Sequence, residues 1–539
     1  MKKLLLLLTL LACSITASAN NITVSNVVLT GQDVTAGTNN AANFTMVQFD
    51  IQWQNSWNTG TSWDAAWIFV KYRVGAGAWQ HARLNNTGHT PPAGNTFDVG
   101  LQTPGTAFNA ATNPGIGAFL HFNYSIWGVN GGTNVRLRWN YGANGVTDND
   151  IVDVQVYAIE MVYVPQGSFA AGDGSTTSVE GQFRNGSTNT PLSITSEGGL
   201  TLGGTANGNL ANNNATGMVT ADDFNNTTIK ALPAAYPKGY KAFYCMKYEI
   251  TQQQYVDFLN TLTRAQQNTR TETNLAAGIT SVTNRYVMSN TATLQARNGI
   301  RCAATINTSN PITFYCDLNG NGTGGETADG QWLVCNWLSY MDVSAYLDWS
   351  GLRPITELEY EKACRGTIAA VANEYAWGST AITQANNNSI TNGGASNETT
   401  NTAGANAVYN IILPQGPPMR VGLFATVSTN RAQAGATCYG IMEMSGNQWE
   451  RPVTVGNVTG RAFTGIQGNG VLSTNGNANE ILWPGLVVGE VTGATGAGFR
   501  GGDYYDSVIY LRVSDRALAA TTVPNRIYNQ GGRGVRVAP

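Results

Sequence analysis

The chain has 539 residues, 62 of them Gly, with 12% charged residues and a net charge of −3. At roughly 100–200 residues per domain, two or three domains are expected, and a 42% apolar fraction is enough for real cores. No basic block appears, which argues against nucleic acid or an anionic membrane surface as partner, and collagen-like and coiled-coil classes are excluded.

Met1 to Asn20 reads as an export signal: Lys2-Lys3, an apolar stretch from Leu4 to Ala12, and a small-residue cleavage site at Ala17-Ser18-Ala19. The stretch is far shorter than the ~20 residues that span a bilayer. Leu10-Leu11-Ala12-Cys13 also resembles a bacterial lipobox, which would leave Cys13 as a lipidated first residue. The expected location is therefore either secreted or the outer surface of a bacterium as a lipoprotein, with membrane contact only through that anchor. Beyond Cys13 lie Cys245, Cys302, Cys316, Cys335, Cys364 and Cys438, with no CxxC pair. Cys302 and Cys316 flank a segment that suits a hairpin and are the best disulfide candidates; buried thiols are the equal alternative.

Residues 20–157 alternate apolar and polar positions between turn-forming residues, as in Phe44 to Ile51, Ala66 to Arg73, Val135 to Trp139 and Val152 to Tyr157. This pattern predicts an all-β sandwich serving as an accessory module. His81, His89 and His121 match no metal-ligand spacing.

From 159 to 539 the pattern becomes α+β with few short helices and long loops. Thr251 caps a helix with the stripe Tyr255, Phe258, Leu259 and Leu262. Asp342 to Trp349 reads as a second helix ended by Gly351. Thr356-Glu357-Leu358-Glu359 is a capping box opening a third, which stops at Arg365-Gly366. Gly/Asn/Thr-rich stretches at 171–230 and 378–406 are expected to be loops.

Seven blocks in order carry a family resemblance: Met161 to Phe169 (MVYVPQGSF), Lys247 to Thr251 (KYEIT), Leu352 to Glu361 (LRPITELEYE), Tyr375 to Gly378 (YAWG), Gly440 to Glu450 (GIMEMSGNQWE), Phe499 to Gly502 (FRGG) and Gly534 to Ala538 (GVRVA). The region resembles the formylglycine-generating enzyme, or sulfatase-modifying factor, domain family. That resemblance implies a C-type-lectin-like fold, commonly stabilised by calcium. Its catalytic members place two copper-holding cysteines after the Gly-Gly motif, since soft thiolates select Cu(I). Here Asp503 to Leu511 follow Gly501-Gly502, and no cysteine lies beyond Cys438. No copper and no catalytic residue are therefore expected. A histidine-held iron site and Ser–His or Cys–His catalysis are likewise excluded, because residues 159–539 contain no histidine.

The family's calcium loop carries over to the side chain of Glu443, the carbonyls of Gly446 and Gln448, and Glu450. Hard oxygen donors in so short a span suit Ca²⁺, although Glu443 stands where the family has Asp or Asn. The alternative is two solvated acids on a loop. A second family position near Asn386 is not assignable.

The tail after Gly502 mixes Tyr, Asp and Ser, a combining-site composition. Asp503, Tyr504, Tyr505, Asp506, Tyr510, Arg516 and Tyr528 are the candidate ligand-binding residues. The frame resembles lectin-fold proteins diversified by retroelements, with ordinary strand and loop filling as the alternative. The expected role is an exported, non-catalytic binding or display protein contacting a protein or glycan ligand at the cell surface. The competing roles are a formylglycine-type oxidoreductase with a displaced centre and a structural part of a bacterial surface machine.

Overall fold

The computed structural model describes residues 22–176, 179–213, 217–385, 390–411, 417–426 and 428–539. The export segment with Cys13 and the position near Asn386 lie outside the described residues. Among the described residues, no helix is long and apolar enough to cross a membrane.

The first half is built on eight strands. β1 (Thr23–Asp33), β2 (Phe44–Gln54) and β7 (Val129–Trp139) form an antiparallel sheet in the order β1-β2-β7. β3 (Asp64–Val74), β5 (Asn95–Leu101), β6 (Gly115–Phe122) and β8 (Val152–Val164) lie in a second sheet, with β4 (Gln80–His81) paired to the end of β3. Along β2 the side chains alternate, so Val47, Phe49, Ile51 and Trp53 point inward onto Ala66, Ile68 and Val70 of β3 and Leu120 of β6. The expected sandwich is present.

Its second sheet does not end there. β8 pairs with β3 from Val74↔Val152 to Asp64↔Val162, then with the strand Phe243–Met246 from Met161 to Val164. That strand pairs in turn with Gly534–Val537, which pairs with Arg353–Pro354, completing an eight-stranded sheet. The change of pattern between 157 and 159 thus falls inside one strand, and hydrogen bonding is continuous across it. β3 is accordingly buried on both faces: Ala65, Trp67 and Phe69 face the helices of the second half, and Phe69 meets Trp349 edge-on at 5.1 Å. Double burial explains why β3 reads as a nearly unbroken apolar run.

Among the described residues, four helices of seven residues or more and a single turn at Val458–Arg461 accompany this sheet. α1 (Gln252–Asn260) has a reciprocal capping box between Thr251 and Gln254, and Tyr255, Phe258 and Leu259 are buried as expected. α2 (Arg264–Arg270), capped by Thr263 and Gln266, was not legible, because its sequence is polar apart from Ala265 and carries no apolar period. α3 (Tyr340–Trp349) starts two residues before the expected Asp342: Ser339 is the cap, and Asp342 is the third-position partner that closes the box. α4 (Glu357–Arg365) starts and stops as expected, with Gly366 at φ +69°. The stretch 171–230, expected to be loop, instead holds short strands at Phe169–Ala171, Phe183–Asn185, Leu192–Ile194, Leu200–Leu202, Leu210–Asn212 and Lys230–Leu232.

The hairpin flanked by Cys302 and Cys316 is present. Its register sets Cys302 opposite Phe314 and Cys316 opposite Ile300, and the six described cysteines are free thiols. The histidines bind protein groups: His81 and His89 meet backbone carbonyls, and His121 meets Asp98.

Candidate functional site

The tail is fixed from α4. Glu357 Oε1 accepts from Arg500 Nη1 at 3.1 Å and from Arg516 Nε at 2.9 Å, and Glu361 Oε1 accepts from Arg500 Nη2 at 2.9 Å. Arg516 also forks onto Asp222, at 2.7 and 3.0 Å. All of these side chains are fully buried, so the capping-box helix and the Phe499–Gly502 block clamp each other. Arg536 of the closing block donates from Nη2 to the Leu101 backbone carbonyl at 2.6 Å, reaching into the sandwich. Lys247 pairs with Glu160 at 2.9 Å and lies 3.7 Å from Asp64 of β3.

Beyond Arg500 the backbone turns through Gly501 and Gly502, both at positive φ, where a Cβ on Gly502 would sit 2.6 Å from Leu511 Cδ1. Asp503 pins the following loop. Its Oδ1 accepts the N–H groups of Tyr505 and Asp506 at 2.6 and 2.9 Å, and its Oδ2 accepts from Asn529. Burial and the neighbouring Asp506 push its carboxyl well above the usual range. Asp506 Oδ2 accepts from Trp449 Nε1 at 2.9 Å.

Three of the seven candidate ligand residues are corrected by these contacts. Asp503 and Tyr504 are buried, Asp503 as the loop's pin and Tyr504 in a cluster with Val408 and Met419. Arg516 is a core ion-pair residue. Tyr505, 43% exposed, meets Tyr528 edge-on at 6.2 Å, and Tyr510 meets Trp449 edge-on at 6.0 Å. With half-buried Asp506, these residues form one aromatic and acidic patch. Trp449 itself is buried.

The calcium-loop acids are buried too, which removes the reading of solvated acids. Glu443 Oε1 accepts from the Gly422 N–H at 2.7 Å, and Glu450 Oε1 pairs with Arg533, while Oε2 of each has no partner. The Gly446 carbonyl accepts from the Gln448 N–H at 3.1 Å. Two orphaned, buried carboxylate oxygens among hard donors fit a Ca²⁺ ion in chemistry. Reading the motif alone missed two neighbours: Arg533, which also donates to the Glu443 carbonyl at 3.2 Å, and Glu249, which accepts from Asn447 Nδ2 at 2.8 Å and the Gln448 N–H at 3.0 Å. Glu249 lies in the KYEIT block, a signal available in the sequence; Arg533 carried none. Burial, then Glu450, pushes Glu249 well above the usual range.

The thiols offer little to copper. Cys364 on α4 is pushed up to about 12 by burial. Cys438, whose N–H donates to the Cys364 carbonyl at 3.3 Å, is also raised by burial. Both environments disfavour the thiolate that a metal or an oxidation step needs. Among the described residues, no group of three or more His, Cys, Asp and Glu side chains could hold a metal ion.

Fold and site together define an α+β domain with few short helices, backed by a β-sandwich and closed by buried arginine–carboxylate pairs and, among the described residues, without the paired cysteines of a copper centre. The chain belongs to the sulfatase-modifying factor enzyme 1-like domain family, which it matches over residues 151–538. That match begins at the start of β8. Among solved structures, "Structure of PvdO from Pseudomonas aeruginosa" is 14% identical with a TM-score of 0.32, covering 70% of this chain and 94% of that one. No curated protein matches the chain.

Proposed function

We propose that the chain is an exported, non-catalytic member of this family whose C-terminal patch recognises a protein or glycan ligand at the cell surface. The observation that carries this reading is the content of the segment after Gly501-Gly502. Where catalytic relatives would carry cysteines, this chain presents Tyr505, Asp506, Tyr510 and Tyr528, and no thiol lies beyond Cys438. Amphipathic rings beside short polar groups supply contact area at low conformational cost. The buried frame of Arg500, Arg516 and Asp503 holds that surface in one shape, which reduces the ordering cost of binding.

Calcium has a structural place in the proposal. Glu443, Gly446, Gln448 and Glu450 would hold it, and its charge would neutralise the unpartnered carboxylate oxygens beneath the patch. Screening the secreted protein against the surface glycans and proteins of its own cell envelope, beside a Tyr505→Ala/Tyr510→Ala variant, tests the reading. A partner captured by the wild type and lost by the folded variant is expected. Equal capture by both would refute the assignment to this patch.

A further inference from the structure

The strand Phe314–Cys316 runs into a segment that reads Asp317-Leu318-Asn319-Gly320-Asn321-Gly322-Thr323. Oxygen-bearing side chains at the first, third and fifth positions, with Gly at the sixth, make the leading half of a calcium loop of the D-x-[DN]-x-[DN]-G kind. Gly322 takes the sharp turn at φ +90°. The pattern departs from that kind at its end: the twelfth position is Ala328, and the closing acid, Asp329, comes one residue later. What points to a ligand is Asp317. Its side chain is fully buried, and Oδ2 accepts from Arg301 and from the Gly322 N–H at 3.0 Å. That N–H belongs to the loop's sixth residue, so the carboxylate stands inside the loop. Its Oδ1 has no partner. A buried carboxylate oxygen left in this way is costly unless a positive charge meets it. Residues 319–328 are exposed, so an ion reaches Oδ1 by an opening of the loop and not through packed core.

The oxygens around Asp317 are hard. Asn319 Oδ1 accepts the Asn321 N–H at 2.9 Å and Asn321 Oδ1 accepts the Thr323 N–H at 2.7 Å, each spending one of two lone pairs. Glu326 Oε2 accepts from Nδ2 of both amides, at 2.9 and 2.6 Å, and so orients them. Asp329, itself buried, accepts from Asn319 Nδ2 at 3.2 Å and from the Glu326 N–H at 2.7 Å. Burial, then the Glu326 and Asp317 charges, push the Asp329 carboxyl up. Among the described residues, Arg301 is the one cation paired with these three acids; Arg285 lies near Tyr286 and Tyr315 and pairs with none of them. Two negative charges are left over, which is the charge of one divalent ion. Only Asp317 and Asp329 among the free donors are acids, the others being amide and main-chain oxygens, so the loop is not one of the three-acid groups excluded above. Such an irregular oxygen set suits Ca²⁺ better than Mg²⁺, which demands a near-octahedral shell. No thiol or imidazole lies in residues 317–329 for a softer metal.

We propose that residues 317–329 form a calcium site separate from the 443–450 loop, with Asp317 Oδ1, the Oδ1 atoms of Asn319 and Asn321, the Thr323 carbonyl and Asp329 as ligands. The ion fastens this exposed loop to the hairpin that precedes it. The proposal does not rest on the C-terminal patch. Isothermal titration of the full chain, stripped with EGTA and dialysed, with calcium chloride tests it. Asn319→Ala and Asn321→Ala change exposed residues and leave the buried Asp317–Arg301 pair in place. Each should weaken one calcium-binding event about tenfold or more, as the loss of an oxygen donor does. Glu450→Gln should retain that same event. Thermal melts in EGTA confirm that all three variants are folded. Isotherms of Asn319→Ala and Asn321→Ala that superimpose on that of the wild type, including absence of binding by all three, would overturn the proposal. So would loss of the same event in Glu450→Gln, which would mean one site and not two.

Discussion

Arg516 and Glu357 meet through two contacts, Nε to Oε1 at 2.9 Å and Nη2 to Oε2 at 3.2 Å, in a pair wholly shut off from solvent. The tail is therefore part of the core before it is a surface, and a residue whose composition suggested ligand contact is a structural clamp. Removing one partner of a buried pair leaves the other charge uncompensated. Arg516→Met should destabilise the protein by about 3–5 kcal/mol, measured by urea unfolding. A loss below about 1 kcal/mol would show that the pair does not clamp the tail to α4.

Tyr505 should behave in the opposite way. Its ring is substantially exposed and packs only edge-on against Tyr528. Tyr505→Ala should change stability by no more than about 0.5 kcal/mol, as exposed positions usually do. Its effect should appear in ligand capture, and a large fall in the urea midpoint would place the residue in the core instead.

Stability should fall as pH rises from mildly acidic to neutral. Burial pushes the carboxyls of Asp348 and Asp515 up to about 7 and that of Asp64 up to about 6, from an ordinary 3.8. A folded-state pKa above the unfolded one means that the folded protein holds extra protons between the two values. The stability they bring is fully present below the unfolded value and is lost as pH climbs toward 7. Asp342 and Glu357 act differently. Burial alone would raise them, and their arginines overcome it and hold both below the ordinary value, so their contribution is lost only as pH falls through that lower range. Denaturant midpoints at pH 5 and pH 8 check the sign, with the higher midpoint expected at pH 5.

Calcium should raise the melting temperature relative to EGTA, because an ion that binds only the folded state stabilises it by mass action. Glu450→Gln, which keeps the shape of the loop and removes one charge, should shrink that shift. Identical melting curves in calcium and in EGTA would remove calcium from the account.

Much of the fold was legible, and the exceptions have physical causes. The capping boxes at Thr251 and Thr356 announced their helices because the cap and its partner are local in sequence. α2 was hidden because tertiary packing, not an apolar period, stabilises a polar seven-residue segment. The short strands of 171–230 were hidden because three-residue ladders carry too little alternation to read. The continuous sheet through β8 joins residues more than seventy positions apart, such as Tyr163 and Tyr244, and local pattern cannot reveal such pairing. At the site, residue type pointed to an aromatic and acidic patch but could not separate Tyr505, which faces solvent, from Tyr504 beside it, which faces the core. Alternation along the chain is a poor guide where the backbone turns at Gly501 and Gly502 and is pinned by Asp503.

The proposal of a non-catalytic member rests most heavily on the lack of copper-dependent oxidase activity. Purified protein incubated with a cysteine-containing sulfatase peptide, copper and oxygen, followed by mass spectrometry of the peptide, tests it most directly. The account predicts a peptide of unchanged mass at its cysteine, and conversion of that cysteine to the formylglycine aldehyde would contradict it.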